Sequence, residues 1–314
     1  MLNLLQECSG AKVIGITGHI RPDGDCVGSC MALYLYLRKF MPDADITVYL
    51  EESAKSYYHI TQVQEIDSQF QTKEHYDVFF CLDAMPDRVG EAGRLYESAA
   101  KKINIDHHVT NTGCGDVNYI DPEIGSCAEL IYNLIPEEAL DDDIARAIYI
   151  GIIHDTGVFQ FSNTRPSTLL AAAKLIQYNI DFANLIQESF YEKSYKQTKI
   201  MAEAVLRSKM YLEGRCLLSY MTQEDMVHFQ AGSSDFAGII NRLKTVRGTD
   251  CAVFMYEIEP ECYKISLRTS EKLDATKVTT VLGGGGHVRA AGCSMKGTLT
   301  DVINKLVSEI GRQL

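Results

Sequence analysis

The sequence predicts an α/β protein in which an N-terminal domain with a parallel sheet is joined by a helical connector to a smaller C-terminal α/β domain. In the first half, short apolar runs alternate with helical patterns, which is typical of a parallel sheet covered by helices on both faces. From Asp181 to about Glu213 the pattern is helical without a strand signal, and strand patterns resume at Arg215. These changes predict domains at residues 1–185 and 214–314, with the connector at 186–213.

The predicted strands of the first domain are short apolar runs, the first of which is rich in β-branched residues. They are Lys12–His19, Asp45–Leu50, Asp77–Ala84 and Lys101–His107. Helical patterns lie between or after them, at Gly24–Phe40, Glu91–Ala100, Ser126–Ile135, Asp142–Ile153 and Pro166–Tyr178. Because strands alternate with helical segments, we expect the strands to lie parallel in one sheet.

The second domain shows a separate set of strand and helix patterns. The predicted strands are Arg215–Met221, Asp250–Ile258, Cys262–Arg268 and a short one near Cys293. The second and third of these are expected to form a hairpin. Helices are expected at Asp235–Val246, Asp274–Leu282 and Leu299–Leu314. A glycine run, Gly283–Gly286, separates the last two helices.

Composition indicates a reduced globular protein. The 314 residues suffice for two domains with separate cores, and 46% of them are hydrophobic against 23% charged. The 10 cysteines are scattered through apolar segments without a Cys-x-x-Cys pair, which favours reduced thiols in the cytoplasm. No apolar run approaches the roughly 18–20 residues of a membrane-spanning helix, and the N-terminus lacks a signal-peptide pattern.

Charge is distributed unevenly along the chain. The net charge of −12 argues against non-specific binding of long nucleic acid. Residues 1–213 contain 18 Lys and Arg and 31 Asp and Glu, whereas residues 214–314 contain 12 and 11. The acidic part suits cation binding, and the other part suits an anionic substrate. Selection for solubility alone is the alternative explanation.

Four segments place ionisable side chains where a predicted strand or helix ends, and ligands of open α/β sheets bind at such an edge. The first is GHIRPDGD, which contains His19, Asp23 and Asp25. Its two alternate carboxylates can point at two positions a few Å apart, as a pair of cations requires. A surface turn rich in Asp and Gly has the same pattern, so this segment alone leaves both interpretations open.

The other three segments add carboxylates and imidazoles. They are CLD, NIDHH and HDTG, which contribute Asp83, then Asp106, His107 and His108, and then Asp155. A single Asp after a strand is often a helix cap. Taken together, however, mixed carboxylate and imidazole ligands suit Mn²⁺, Mg²⁺, Fe²⁺ or Co²⁺ better than a structural zinc. Two such ions roughly 3.5–4 Å apart would clamp the oxygens of a phosphoryl group, with Asp83 as the candidate bridging carboxylate.

These segments resemble the signature motifs of the DHH phosphoesterase superfamily, which they match in order as GHIRPDGDCVGS, CLDA, NIDHH and HDTG. GGGGH, followed by Arg289 and AAG, resembles the glycine-rich motif of the DHH-associated C-terminal domain. The length and the two domains are most similar to the bifunctional oligoribonuclease/pAp phosphatase branch, the nanoRNase type.

The resemblance implies a role for each matching residue. His19, Asp23 and Asp83 would hold one cation, and Asp25, Asp83, His107 and Asp155 would hold the second. His108 would contact the scissile phosphate or protonate the leaving group, so that it and Asp83 are the expected catalytic residues. Asp106 would orient a histidine. The far phosphate of the substrate would be bound by Arg268, His287, Arg289 and an anion-binding nest formed by the amides of Gly284, Gly285 and Gly286.

The implied activity is manganese-dependent hydrolysis of short oligoribonucleotides to 5′-mononucleotides, as an exonuclease, and of pAp to AMP. Mg²⁺, Co²⁺ or Fe²⁺ are the alternative ions. The expected partners are short oligonucleotides or small nucleotides, with neither a membrane nor long duplex nucleic acid. The oligomeric state stays open, with a homodimer as one option.

Three other functions remain as alternatives. Linear or cyclic di-adenylate phosphodiesterases share the same architecture. An inorganic pyrophosphatase shares the N-terminal motifs, but the GGGGH segment fits it poorly. A non-catalytic nucleotide-sensing module is disfavoured because every expected metal ligand is present in the sequence.

Overall fold

The computed structural model describes residues 2–314 and divides into two compact units, Met1–Glu192 and Lys193–Leu314. Each unit has its own sheet and its own buried clusters of apolar side chains. Within the described residues, every helix is too short or too polar to cross a membrane.

The sheet of the first unit has five parallel strands in the order β2-β1-β3-β4-β5. The strands are β1 (Val13–Thr17), β2 (Asp45–Tyr49), β3 (Val78–Leu82), β4 (Lys102–Asp106) and β5 (Val117–Ile120). The predicted parallel sheet is therefore confirmed, and the four predicted strands are present with slightly shorter bounds. The edge strand β5 was not predicted, because its side chains are mostly half-buried and its sequence, VNYI, mixes polar and apolar residues.

Helices cover both faces of this sheet, as predicted. They are α1 (Leu4–Glu7), α2 (Gly24–Phe40), α3 (Ala92–Glu97), α4 (Cys127–Leu134), α5 (Asp142–Asp155), α6 (Pro166–Leu175) and α7 (Phe182–Ile186), with a π-helical turn at Gln187–Tyr191. Helices α2, α4 and α5 pack together over one face, whereas α3 packs on the other face against Phe79 and Cys81.

The close approach of α2 to α5 depends on Gly28. A Cβ atom at this position would lie 2.5 Å from the carbonyl oxygen of Ala147 and 2.8 Å from the amide nitrogen of Gly151. Any larger residue would therefore push the two helices apart. Since Asp25 lies in the first turn of α2 and Asp155 ends α5, this contact also sets the separation of two predicted metal ligands.

The second unit has a six-stranded sheet in the order β10-β11-β9-β8-β7-β6. Its strands are β6 (Lys209–Tyr211), β7 (Cys216–Met221), β8 (Cys251–Glu259), β9 (Cys262–Thr269), β10 (Gly285–His287) and β11 (Ala290–Lys296). Only the pair β7 and β8 is parallel, and β8 and β9 form the predicted hairpin. Its helices are α8 (Tyr195–Arg207), α9 (Gln223–Phe229), α10 (Ile239–Lys244), α11 (Ala275–Val281) and α12 (Leu299–Gly311).

Two predictions for this part of the chain were wrong. The segment between Asp181 and Glu213 was expected to contain no strand, but β6 lies there and pairs with β7. The helix predicted at Asp235–Val246 is interrupted, because Gly238 has a positive φ of 88° that separates a short 3₁₀ turn from α10. A positive φ is incompatible with an α-helix, so the chain must restart the helix after this residue.

Candidate metal centre

The carboxyl ends of three neighbouring strands carry His19, Asp83 and His107. These residues follow β1, β3 and β4 by one or two positions, and the three strands are adjacent in the parallel sheet. Their side chains therefore meet at one edge. Asp83 has a positive φ of 54°, which turns the chain sharply as it leaves β3, and its amide donates to the carbonyl oxygen of Ile105 at 3.0 Å.

His19 presents its Nε2 atom to two carboxylates. Nε2 lies 3.4 Å from Asp83 Oδ2 and 3.7 Å from Asp23 Oδ1. The other nitrogen, Nδ1, lies 2.8 Å from the carbonyl oxygen of Ile20, which can only accept a hydrogen bond. Nδ1 therefore carries the proton of the neutral ring, and Nε2 is left with a lone pair that faces the carboxylate oxygens.

His107 is surrounded by three carboxylates in the same way. Its Nε2 lies 3.5 Å from Asp83 Oδ1, 3.7 Å from Asp155 Oδ2 and 3.8 Å from Asp25 Oδ2. Its Nδ1 faces the carbonyl oxygen of Ile124 at 3.4 Å. Asp83 thus contacts His19 through one carboxylate oxygen and His107 through the other.

The buried Asp25 carboxylate is held by the start of α4. Its Oδ2 accepts the amide N–H of Cys127 at 2.7 Å, and its Oδ1 accepts that of Ala128 at 2.8 Å. Free N–H groups and the helix dipole both favour a negative charge at this position. Asp23 is fixed by α2, since its Oδ1 caps this helix by accepting the amides of Asp25 and Cys26.

Asp106 does not face this cluster but holds the two histidines that follow it. Its Oδ1 accepts the backbone N–H of His107 at 2.7 Å and that of His108 at 3.1 Å. The same oxygen lies 2.7 Å from His108 Nδ1, so the imidazole donates to it. This bond fixes the orientation of the His108 ring and leaves its Nε2 available.

The charges of the cluster shift several pKa values. Burial, together with repulsion from Asp83 and Asp23, raises the pKa of Asp155 to about 6 against the opposing effect of His107. Burial and then the Asp83 and Asp155 carboxylates raise the pKa of Asp25 well above its usual range. Burial lowers the pKa of His107, but its carboxylate neighbours outweigh burial and raise it to about 10. Carboxylates at such short separations require protons or cations between them.

The residues at this edge fit divalent cations. Three groups of potential ligand atoms lie within 4.8 Å of one another: His19 with Cys26 and Asp83, Asp83 with His107 and His108, and Asp25 with His107 and Asp155. Within the described chain, the buried Oδ1 of Asp83 has no hydrogen-bond donor. A buried carboxylate oxygen without a donor beside imidazole lone pairs is the arrangement expected of metal ligands.

Three asparagines and one cysteine near the cluster were not identified as site residues from the sequence. Asn163 donates to Asp155 Oδ2 at 2.8 Å, and Asn111 donates to Asn104 Oδ1 at 2.9 Å and to Asp106. Asn104 is a fully buried polar residue between the two isoleucines of β4, and a polar residue inside a predicted strand of a parallel sheet is a usable sequence signal. The other two asparagines lie in loops, where such residues are common. Cys26 is fully buried, and burial raises its thiol pKa well above the usual range, which disfavours the thiolate.

In the second unit, the sheet register places Arg268 and His287 in one row. Arg268 of β9 pairs with Ala290 of β11, which pairs with His287 of β10. Directly paired residues project from the same face of a sheet, and two strand spacings amount to roughly 10 Å. The small Ala290 side chain lies between the guanidinium and the imidazole. Burial lowers the pKa of the Arg268 guanidinium.

Arg289 and the glycines have other contacts. Arg289 donates to the carbonyl oxygens of Ser270 and Leu273, which ties it to the backbone. The amide of Gly284 donates to the carbonyl oxygen of Thr279 at the end of α11, so it is already used. The predicted anion-binding nest therefore depends on Gly285 and Gly286, which lie in β10.

Comparisons with known proteins agree with the motifs. The model of the "DHH family, N-terminal domain" matches residues 13–152, and that of the "DHHA1 domain" matches residues 214–314. The bifunctional oligoribonuclease and PAP phosphatase NrnA of Thermus thermophilus is 30% identical over 96% of this chain and 89% of its own length. The Bacillus subtilis protein of the same name is 29% identical over 93% and 92%.

A solved structure has the same fold. It is an exopolyphosphatase-related protein from Bacteroides fragilis, with a TM-score of 0.89 and 24% identity, and the match covers 98% of this chain and 94% of that one.

Proposed function

The chain belongs to the DHH family of phosphoesterases that carry a DHHA1 domain, and we propose that it hydrolyses short oligoribonucleotides to 5′-mononucleotides and pAp to AMP. The two relatives named as oligoribonucleases and PAP phosphatases support this choice of substrates, since each aligns along most of the chain. Cleavage would proceed from a chain end, as expected of an enzyme for short substrates.

The observation that carries the proposal is the position of Asp83, whose two oxygens face His19 and His107. We propose that His19, Asp23 and Asp83 hold one divalent cation. Asp25, Asp83, His107 and Asp155 would hold the second. When bound, two such cations neutralise charge on phosphate oxygens and lower the pKa of the attacking water. Manganese is the proposed ion, with Mg²⁺, Co²⁺ or Fe²⁺ as alternatives, because imidazole and carboxylate ligands suit them all.

His108 is the proposed acid for the leaving oxygen. The Asp106 carboxylate accepts a hydrogen bond from the Nδ1–H group of His108. This contact raises the pKa of the His108 ring, which favours its protonated form. A protonated ring has a second proton on Nε2, the nitrogen that does not hydrogen-bond to Asp106. We propose that Nε2 donates this proton to the departing oxygen while Asp106 holds the ring in place.

Substrate binding is assigned to the row formed by Arg268 and His287. Both groups project from the same face of the second unit's sheet, with only Ala290 between them. We propose that this pair binds an anionic group of the substrate. A guanidinium is suited to this role because it is always charged and can donate two parallel hydrogen bonds to a phosphate.

The test is turnover of a panel of nucleotides with added Mn²⁺: a linear adenylate dinucleotide, pAp, cyclic di-adenylate and pyrophosphate. Release of AMP from the dinucleotide and from pAp, abolished by Asp83→Asn, is the expected result. Asp43→Asn, which changes an exposed carboxylate outside the cluster, is the matched control and retains activity. Preferred hydrolysis of the cyclic compound would overturn the substrate assignment, and no turnover of any compound would overturn the activity.

A further inference from the structure

A cavity of about 290 Å³ lies within the second unit, and the proposed function does not use it. It is lined by Tyr195, Lys196, Lys199, His228, Phe229 and Gln230. These residues come from the first turns of α8 and from the end of α9. The volume is close to the lower end, roughly 300 Å³, of sites that bind small molecules.

Tyr195 gives this cavity an open aromatic surface. The residue is 81% exposed, which is unusual for a large aromatic side chain. The Lys199 ammonium lies 5.5 Å from the centre of its ring, at the distance of a cation–π contact. This contact orients the tyrosine, and the high exposure leaves ring surface for a second planar group. Phe229 is partly buried against the core of the unit and gives the cavity an apolar wall.

The charge of the cavity favours an anion. Lys196 is compensated by Asp235, at 2.8 Å, and donates to the carbonyl oxygen of Gln230. The charge of Lys199 is not compensated in this way. Glu203, the acidic residue one helical turn further along α8, pairs with Arg207 instead. The unit as a whole is cationic, because residues 193–314 contain 17 Lys and Arg against 13 Asp and Glu.

We propose that this cavity binds one nucleotide of a single-stranded RNA, with the base stacked on Tyr195 and a phosphate against Lys199. Exposed aromatic rings beside unpaired cations are how proteins bind single strands without base specificity. The inference rests on the proposed function only for the choice of RNA as the ligand. On this proposal, the second unit binds a substrate through base stacking as well as through charge.

The test is the affinity of the full-length, Mn²⁺-loaded protein for a fluorescein-labelled penta-adenylate with phosphorothioate linkages that resist cleavage, measured by anisotropy. Tyr195→Ala is expected to weaken binding about ten-fold or more, and Tyr195→Phe to retain it, since stacking needs only the ring. Lys199→Ala is expected to weaken binding and to reduce the salt dependence by the equivalent of one phosphate contact, a slope of about 0.7.

Lys305→Ala, at an exposed lysine of α12 outside the cavity, is the matched control and leaves binding unchanged. Unchanged affinity in both Tyr195→Ala and Lys199→Ala would overturn the inference. So would competition by penta-glutamate as effective as that by unlabelled penta-adenylate, because the site would then recognise charge alone. If no substrate is hydrolysed but Tyr195→Ala still weakens RNA binding, the cavity assignment stands and the proposed activity fails.

Discussion

Asp83 Oδ1 and His107 Nε2 lie 3.5 Å apart, although neither atom has a hydrogen to share when the imidazole is neutral. The ring's Nδ1 faces the carbonyl oxygen of Ile124 and must carry the proton, so Nε2 is an acceptor. Two acceptors at this distance repel unless a proton or a cation lies between them. The metal-free protein therefore takes up protons where we propose that cations bind.

Metal affinity should consequently rise with pH. In the metal-free protein the pKa of His107 is about 10 and that of Asp155 about 6, so at neutral pH the cluster retains at least one proton that a cation must displace. Lowering the pH adds protons and favours the metal-free state. Titration calorimetry with Mn²⁺ in two buffers of different ionisation enthalpy should show net proton release. Identical heats in both buffers would contradict this account.

The proposed acid, His108, can be tested by the choice of leaving group. His108→Gln should lower kcat for an adenylate dinucleotide about 10²–10⁴-fold, the usual contribution of a general acid. For bis(p-nitrophenyl) phosphate the loss should be much smaller, because nitrophenolate leaves without a proton. His75→Gln, at an exposed histidine, is the control. Equal losses on both substrates would argue against proton donation by His108.

Alanine substitutions of Arg268 and Arg289 should have different effects on KM and on stability, although both residues are near the glycine run. Arg268→Ala should raise KM for the dinucleotide about ten-fold or more, as expected for a lost bond to a phosphate, with little effect on bis(p-nitrophenyl) phosphate. Arg289→Ala removes donors to two backbone carbonyls, so it should lower the free energy of unfolding by about 1 kcal/mol with KM unchanged. Steady-state kinetics and thermal unfolding separate the two. Similar KM increases in both variants would refute the distinction.

Gly28→Ala should destabilise the first unit. The added methyl group would overlap the backbone of α5, and overpacking of this kind costs about 1–3 kcal/mol. The unfolding midpoint should fall, and hydrolysis should fall as well because α2 and α5 carry Asp25 and Asp155. Gly232→Ala is the matched control, since its Cβ would contact no atom within 4 Å. A midpoint unchanged in Gly28→Ala would show that the helices can separate without cost.

The sequence predicted the strands that lead into the candidate site because those strands are buried. β3 is buried along its whole length and β1 apart from its first residue, so their apolar composition identified them. β4 is buried apart from its first residue as well, but its sequence, KINID, was recognisable only by its two isoleucines. The ionisable residues after them stood out against that background. Strand β5 is half-buried and gave no comparable signal.

Contacts that depend on tertiary structure could not be predicted in this way. The bond from the start of α4 to Asp25 joins residues 102 positions apart. The bond from Asn163 to Asp155 spans 8 positions of the loop after α5 and depends on how that loop folds back. Neither Asn163 nor Cys127 has a distinctive local pattern. The glycine run has a second explanation that its sequence does not reveal. A Cβ at Gly284 would lie 2.2 Å from the carbonyl oxygen of Gly292, so close strand approach alone requires glycine there.

The most direct test of the two-cation centre is to count the Mn²⁺ ions bound per chain, by following free Mn²⁺ with electron paramagnetic resonance during a titration. We expect two ions for the wild-type protein and for Asp43→Asn, and fewer than two for Asp83→Asn, which lacks the carboxylate that we propose is shared by both cations. Two ions bound with unchanged affinity in Asp83→Asn, or no tightly bound ion in the wild-type protein, would contradict it.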